Sequence, residues 1–378
     1  MTGDTKYMQA SLKLAAKGIG SVEPNPAVGC VIVKNGQVIG KGYHKEFGGP
    51  HAEINALADC KNIGANPKGS TMYVTLEPCC HYGKTWPCTK AIIQAGIAKV
   101  VAAILDPSKH ADGQGIKQLN QAKIKTQIGV CEDEAKLLNA PFIKFAKTGK
   151  SWVILKWAQS IDGKLAWANR DEEHRWISSE KSRADVQQLR GRTQAVITGI
   201  RTILADDPLL TIRPDKGKKL IRVVLDNHLR IPLDCQLIKT AQQQPVLIVA
   251  YEPSAKSNPQ KLQQLTATGT EILTYPDLQG DSNLHFVIDE LSKRRIAQIL
   301  VEGGPLLAGS FLKEKLADEI CVYIAPKILG NKGTADINAV FAGLAGHIEL
   351  HSVNIKSFDS DARINGLTEE GLSVIKSD

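Results

Sequence analysis

Apolar positions recur along this chain with two periods, and the switches between them mark out its elements. Met8, Leu12 and Ala15 keep helical spacing near the start. Residues 27–33 form a small-apolar run that predicts a buried strand. Asn35-Gly36 predicts a tight hairpin turn, with residues 37–42 as the returning strand. Residues 51–60 read as a helix and 71–76 as a strand that delivers Glu77-Pro78-Cys79. A second helix follows Pro87, since proline suits a helix's first turn. A strand at 100–105 and segments 116–122, 124–128 and 132–146 continue the alternation. The order predicts an α/β sandwich.

The pattern resets around Thr148-Gly149-Lys150. A new strand begins at 152–155, and strands are expected at 194–198, 221–226, 246–250, 299–301 and 319–325. Lysine- and glutamine-rich stretches at 240–244 and 254–263 read as surface elements. The α/β alternation is expected to run to the end of the chain. Two domains follow, residues 1–147 and 148–378, which suits a length of 378 residues.

Composition narrows the class. Hydrophobic residues make up 43%, ample for packed cores, yet no apolar stretch is long enough to span a membrane. The first residues carry no apolar signal core behind a basic segment. Eight cysteines scattered over such a length fit reduced thiols in a cytoplasmic protein better than a disulfide framework. Cys30, Cys60, Cys131, Cys235 and Cys321 sit in apolar or amphipathic runs and are expected to be buried. The net charge of +8 is uneven: up to Lys147 there are 18 lysines, no arginines and 11 acids, hence +7. That bias could steer an anionic substrate or a nucleic acid. Aromatics are only 5%, and base-stacking platforms need aromatics or arginine, so a solvated lysine-rich surface is the preferred reading.

The strongest chemical signal lies in Pro50-His51-Ala52-Glu53 and Pro78-Cys79-Cys80-His81, followed by Pro87-Cys88. One histidine and two thiolates can bind zinc and leave a fourth position for water, which describes a catalytic rather than a structural site. Zinc lowers the pKa of its water towards neutrality. Glu53, two residues from His51, can move protons beside it. This is the H-x-E…P-C-x-x-C logic of zinc deaminases, with one departure: Tyr82 stands three residues after Cys79. The second thiolate must be Cys80 or Cys88. Consecutive side chains diverge, whereas Cys88 opens a helix whose N-terminus favours a thiolate, so Cys88 is the better choice. The alternative is that these are unrelated core residues.

Three later segments also look chemical: Lys156 to Gly163; Arg190 with Thr202 and 205–213; and Val301-Glu302-Gly303-Gly304-Pro305 through Ser310. The last reads as a strand, a glycine pair and a helix start. Small residues there would let a pyrophosphate approach backbone N–H groups, although a tight packing turn would look the same. It is not the G-x-G-x-x-G fingerprint, and no Walker sequence is present. Asp206-Asp207-Pro208 could cap a turn, and Arg190 and Arg213 could be solvated. Lys156 inside an apolar strand, and Glu302 at the end of another, each need a partner or a function. Together they could supply a proton and stabilise a developing cation.

Taken together these segments resemble the bifunctional deaminase/reductases of riboflavin biosynthesis, the RibD family. The resemblance covers nearly the whole chain. It rests on Asn25-Pro26-Ala27-Val28-Gly29-Cys30, Gly49-Pro50-His51-Ala52-Glu53, and Thr75-Leu76-Glu77-Pro78-Cys79-Cys80-His81-Tyr82-Gly83-Lys84-Thr85 with Pro87-Cys88. The later segments are Ser160-Ile161-Asp162-Gly163, 205–213, Val301-Glu302-Gly303-Gly304-Pro305 and Ala325-Pro326-Lys327-Ile328-Leu329-Gly330. It implies a cytidine-deaminase-like first domain that deaminates 2,5-diamino-6-ribosylamino-pyrimidinone 5′-phosphate. It implies a dihydrofolate-reductase-like second domain that uses NADPH to reduce ribosyl to ribityl, and often a homo-oligomer. His51, Cys79 and Cys88 would hold zinc, with Glu53 as proton shuttle. Ala158, Trp176, Thr202 and Asp206 match nucleotide-contacting positions, with Gly304, Pro305, Leu306, Leu307, Ala308, Gly309 and Ser310 around the pyrophosphate. His174, Arg190, Leu210, Arg213 and Glu302 match substrate-contacting positions. The stretch 167–175 is longer than the family pattern.

Two other readings compete with a bifunctional small-molecule enzyme. A nucleic-acid deaminase would suit the lysine bias, but the long Cys79–Cys88 gap and the lack of arginine and aromatics in the first part argue against it. A structural zinc scaffold would normally be closed by four protein ligands.

Overall fold

The computed structural model describes residues 3–81, 86–108, 111–169, 171, 174, 176–214, 217–277 and 283–376. It divides into two compact units between Gly149 and Lys150. The helix Ala140–Thr148 runs past the expected end at Lys147 and is closed by Gly149, whose left-handed φ of 70° returns its N–H to Phe145 O.

The first unit is a five-stranded sheet flanked by helices. Its strands are β1 (Gly29–Lys34), β2 (Gln37–Tyr43), β3 (Thr71–Val74), β4 (Lys99–Ala102) and β5 (Lys125–Ile128), in the order β2-β1-β3-β4-β5. β1 runs antiparallel to β2 and β3, and β3, β4 and β5 are parallel. The β1–β2 hairpin turns at Asn35-Gly36, both with positive φ, as that dipeptide predicts. The helix Ala52–Asn62 lies tight on β2: a Cβ on Gly42 would come within 2.3 Å of Ala52 O. The segment 132–146, read as one element of the alternation, is two helices, Glu132–Leu138 and Ala140–Thr148. Pro141 cannot donate within a continuous helix, and Asn139 instead exchanges two hydrogen bonds with the backbone of Ala27 (2.9 and 3.0 Å).

The second unit holds a nine-stranded sheet. In chain order its strands are β6 (Trp152–Ser160), β8 (Ala195–Gly199), β9 (Ile221–Leu225), β10 (Val246–Tyr251), β11 (Glu271–Tyr275), β12 (Gln298–Glu302), β13 (Glu319–Ala325), β15 (His351–Phe358) and β16 (Asp361–Leu367). A small antiparallel pair, β7 (Lys164–Trp167) and β14 (Gly333–Asp336), stands apart. The sheet order is β11-β10-β9-β8-β12-β6-β13-β16-β15. Seven strands from β11 to β13 are parallel, and β16 and β15 close one edge antiparallel. Central strands bury both faces, as parallel sheets do. Val153, Leu155 and Trp157 pack on one side with Leu284, Val287 and Phe311, while Val196, Val224 and Ile248 join Ile203, Leu237 and Leu265 in a second core.

The structure corrects three expectations here. The α/β alternation does not run to the end, because the chain finishes in the β15–β16 hairpin and a short helix. β7, β11, β14, β15 and β16 escaped sequence reading, and β15 exposes nearly every residue. Cys131 is half-buried rather than buried: it caps the helix Glu132–Leu138 in a left-handed conformation, while Cys30, Cys60, Cys235 and Cys321 are buried. All eight cysteines are free of disulfides, and no helix among the described residues is long and apolar enough to cross a membrane.

Candidate functional site

In the first unit, His51 is the extended N-cap of the helix Ala52–Asn62, and Cys88 is the first residue of the helix Cys88–Gln94, behind Pro87. Cys79 follows β3. His51 Nδ1 lies 3.4 Å from Cys79 Sγ and 3.3 Å from Cys88 Sγ, and the three ligand atoms sit within 4.8 Å of one another. Tetrahedral zinc bonds of roughly 2.0–2.3 Å set neighbouring ligands about 3.5 Å apart, so the cluster fits that ion. Cys88, not Cys80, belongs to it. The Cys88 N–H donates to Cys79 Sγ (3.3 Å), placing a helix N-terminus against the sulfur.

Electrostatics match a site arranged for a cation. The hydrogen bond from Cys88 holds Cys79 far below the usual thiol range, and the same contact lifts Cys88. The bond to Cys79 raises His51. Glu53 is 3% exposed, and burial first, then the Cys79 charge, pushes its carboxyl up to about 7. A carboxyl poised near neutrality can both take and give a proton.

Two supports went unread in the sequence. Glu77 is buried and accepts from the backbone N–H groups of Asp106, Gly113 and Ile116 (3.0–3.1 Å), pinning a loop beside the Cys79 turn. An acid before Pro78 gave only that hint. His44 is also buried, 5.4 Å from the His51 ring; its Nδ1 faces Pro50 O, and burial lowers its pKa. Tyr82, Gly83, Lys84 and Thr85, part of the motif, lie outside the described residues.

In the second unit, β12 and β6 pair with Glu302 beside Lys156. Lys156 Nζ stands 3.7 Å from Glu302 Oε2. Arg190, in the last turn of the helix Glu180–Arg192, grips the same carboxylate with Nε to Oε1 at 2.6 Å and Nη2 to Oε2 at 3.1 Å. Its Nη1 also donates to Thr211 O (3.1 Å), tying this pair to the loop that carries Leu210 and Arg213. Burial alone would raise the pKa of Glu302, but Arg190 and then Lys156 overcome it and hold the carboxyl at about 2. The expected Lys156–Glu302 pair is therefore a triad in which Arg190 is the primary partner.

The remaining expected residues scatter around the carboxyl ends of the strands, where α/β sheets bind ligands. Ala158 is half-buried on β6. Thr202 and Asp206 lie on the helix Ile200–Asp206 after β8. Leu210 is buried with a φ of 52°, and Arg213 is exposed, its N–H donating to Gln187 Oε1 (2.9 Å). Trp176 is half-exposed, with the Arg183 guanidinium 5.3 Å from its ring centre. His174 bonds Asp171 and stacks edge-on against Trp167, while Arg175 lies outside the described residues. Gly304 caps the helix Pro305–Lys313, and a Cβ there would meet open space. Within 304–310 the residues differ in exposure. Ala308 is buried, and Gly309 faces Val340 O, where a Cβ would come within 2.7 Å. The side-chain positions of these two pack the helix Pro305–Lys313 against its surroundings.

A cavity of about 300 Å³ opens beside that helix, lined by Ile200, Leu225, Leu284 and Leu307, with Asn227, His228, Arg230, Asn283, Ser310 and Glu314 as its polar members. Asn227, His228 and Arg230 follow β9 and were not singled out in the sequence, since a turn after a strand is their ordinary reading.

Comparison with known proteins places these units. Residues 1–104 match the cytidine and deoxycytidylate deaminase zinc-binding region, and residues 151–361 match the RibD C-terminal domain. The riboflavin biosynthesis protein RibD of Aquifex aeolicus is 42% identical over 86% of this chain and 88% of its own length. That of Escherichia coli is 40% identical over 87% and 89%. Among solved structures, Acinetobacter baumannii RibD superposes with a TM-score of 0.80 at 36% identity, covering 97% of this chain and 99% of that one. A Thermotoga maritima diaminohydroxyphosphoribosylaminopyrimidine deaminase/5-amino-6-(5-phosphoribosylamino)uracil reductase gives 0.81 at 31% identity, with the same coverage. The two units accordingly have the cytidine-deaminase-like and dihydrofolate-reductase-like folds expected of them.

Proposed function

The chain belongs to the RibD family of riboflavin-biosynthesis proteins, and on that premise we propose how its residues divide a deamination and a reduction. The observation that carries the reading is the pairing of a three-ligand His51–Cys79–Cys88 cluster beside buried Glu53 with a Lys156–Glu302–Arg190 triad in the other unit. We assign deamination to residues 1–147 and reduction to residues 148–378.

In the first unit His51, Cys79 and Cys88 would hold zinc, which would supply Lewis-acid activation of a water. Glu53 would take a proton from the attacking water and deliver it to the departing amino nitrogen. The substrate is 2,5-diamino-6-ribosylamino-4(3H)-pyrimidinone 5′-phosphate, and ammonia leaves. In the second unit NADPH supplies the hydride. Lys156 donates a proton to the ribose ring oxygen as the C–O bond at the first sugar carbon breaks. The nitrogen lone pair there forms C=N, the bond that a hydride from the nucleotide would reduce to give the ribityl chain. Glu302, held by Arg190, stabilises the cation that develops. Arg190, Leu210, Arg213 and His174 contact substrate, while Ala158, Trp176, Thr202, Asp206 and the start of the helix Pro305–Lys313 contact the nucleotide. The cavity at Asn227, His228 and Arg230 would take the adenosine end, with the Arg230 guanidinium as the charge for a 2′-phosphate.

The substrates are small molecules rather than nucleic acid, in keeping with a first unit whose basic residues are lysine without arginine. The protein acts in the cytoplasm as a homo-oligomer; Val353 and Ile355, exposed on the edge strand β15, offer apolar area for assembly, and light scattering would give the mass. The test of the whole reading is to supply the aminopyrimidine phosphate to the full chain, and to residues 1–147 and 148–378 separately. Ammonia release and NADPH oxidation are recorded independently. Ammonia from the second half alone, or neither activity from the full chain, would overturn it.

A further inference from the structure

We propose that Tyr323 is a positioning residue for Lys156: its ring face, tethered through Asp185 and Arg363, fixes the ammonium at the reductase site. The inference rests on the reading of Lys156 as proton donor. Lys156 Nζ is 3.7 Å from Glu302 Oε2, beyond the 2.7–2.9 Å typical of a charge-assisted hydrogen bond, and Arg190 already occupies both oxygens of that carboxylate. Glu302 alone therefore leaves the ammonium loosely placed. On its other side Nζ lies 5.7 Å from the centre of the Tyr323 ring, within cation–π range. An aromatic face attracts a cation without accepting a proton. It can hold the ammonium in place while its N–H groups remain available to a substrate oxygen.

The ring is itself fixed. Tyr323 is fully buried on β13, and its hydroxyl donates to Asp185 Oδ2 at 2.6 Å. Arg363, paired with Tyr323 across β13–β16, donates to the same oxygen at 2.6 Å. Asp185 is 5% exposed. Burying a charged pair carries a desolvation cost, and an apolar replacement is often as stable. Here the Arg363 guanidinium and the phenol hydroxyl converge on one Asp185 oxygen, and that anchor sets the tilt of the ring beneath Lys156. The groups facing Lys156 are thus Glu302 on β12, Cys321 and Tyr323 on β13, with Asp185 and Arg190 from the helix Glu180–Arg192 and Arg363 from β16 behind them.

The test uses the full chain and compares Tyr323→Leu, Tyr323→Phe and Asp185→Asn with Lys156→Met. It measures kcat and KM for NADPH oxidation across pH, and NADPH binding by nicotinamide fluorescence. Tyr323→Leu is expected to lower kcat about tenfold or more, consistent with a misplaced general acid, to move the alkaline limb of the pH profile, and to leave NADPH binding unchanged. Tyr323→Phe keeps the face but loses the tether to Asp185, so its kcat should fall between those of Tyr323→Leu and wild type. Wild-type kcat and pH profile in Tyr323→Leu, or no advantage of Phe over Leu, would overturn the proposal. If Tyr323→Leu does not fold, Asp185→Asn decides, because it removes the carboxylate charge that orders the Tyr323 hydroxyl and Arg363 while keeping the ring: an unmoved pH limb there overturns the role. If Lys156→Met still oxidises NADPH normally, the donor reading and this inference fall together; if only the Tyr323 and Asp185 variants behave as wild type, this inference alone does.

Discussion

Arg190 clamps Glu302 through two near-parallel hydrogen bonds of 2.6 and 3.1 Å, although the two residues are 112 positions apart. Bidentate pairing of this kind fixes geometry as well as charge. The clamp decides how a carboxylate can remain ionised at the end of a buried strand.

It also sets an acid limit. The Glu302 carboxyl falls from an ordinary 4.5 to about 2 on folding. A depressed carboxyl contributes stability that is present above the unfolded value and is lost as pH falls through the folded one, here between about 4.5 and 2. Arg190→Met strands the carboxylate and should cost about 3–5 kcal/mol at neutral pH, with a smaller loss on acidification because protonation relieves the stranded charge. Denaturant midpoints from pH 7 to pH 3 read this directly. An unchanged midpoint at pH 7 would remove Arg190 from the account.

Lys156→Met keeps the stem volume and removes the donor. NADPH oxidation is expected to disappear, while NADPH binding, zinc content and ammonia release persist. Near wild-type oxidation would make Lys156 structural, and the acid would then be sought first at Asp206.

Glu53→Gln leaves the three ligands in place, so zinc should stay near one per chain. Deamination should drop by roughly a hundred- to ten-thousandfold, the usual contribution of a positioned acid–base group. Normal ammonia release from this variant would rule out the shuttle.

Cys88→Ser should strip or weaken zinc, and Cys80→Ser should retain it, since only Cys88 approaches His51 Nδ1 and Cys79. Metal analysis of the two purified variants decides the matter, and the reverse pattern contradicts the assignment.

Arg230→Gln should raise KM for NADPH about tenfold, the scale of one lost phosphate contact of about 1.5 kcal/mol, and leave KM for NADH unchanged. Its guanidinium is only 3.9 Å from Asp226 at the nearest and half-exposed at the cavity rim, so its charge is open to a phosphate. Equal effects on both cofactors would move phosphate recognition elsewhere.

What could be read from the sequence alone was local. Asn35-Gly36 announced its hairpin because only a positive-φ turn suits that dipeptide. The His51–Cys79–Cys88 cluster was legible because its members carry local signals: His51 stands before a helix, Cys88 behind Pro87. Cys88 could be preferred over Cys80 from chain geometry, before any contact was known. Lys156 and Glu302 were visible as charges out of place in apolar strands. Their partners were not. Lys156 meets Glu302 only because β6 and β12 pair in one parallel register, and Arg190 and Tyr323 arrive from a helix and a strand elsewhere in the chain. No local period encodes such a register. The strand β15 escaped for a related reason: Val353 and Ile355 alternate but stay exposed, so its place is set by ladder hydrogen bonds to β16 rather than by a buried face. Side-chain chemistry near a turn is fixed by a few neighbouring residues, whereas an ion triad at the end of a sheet depends on the packing of strands and a helix far apart in sequence.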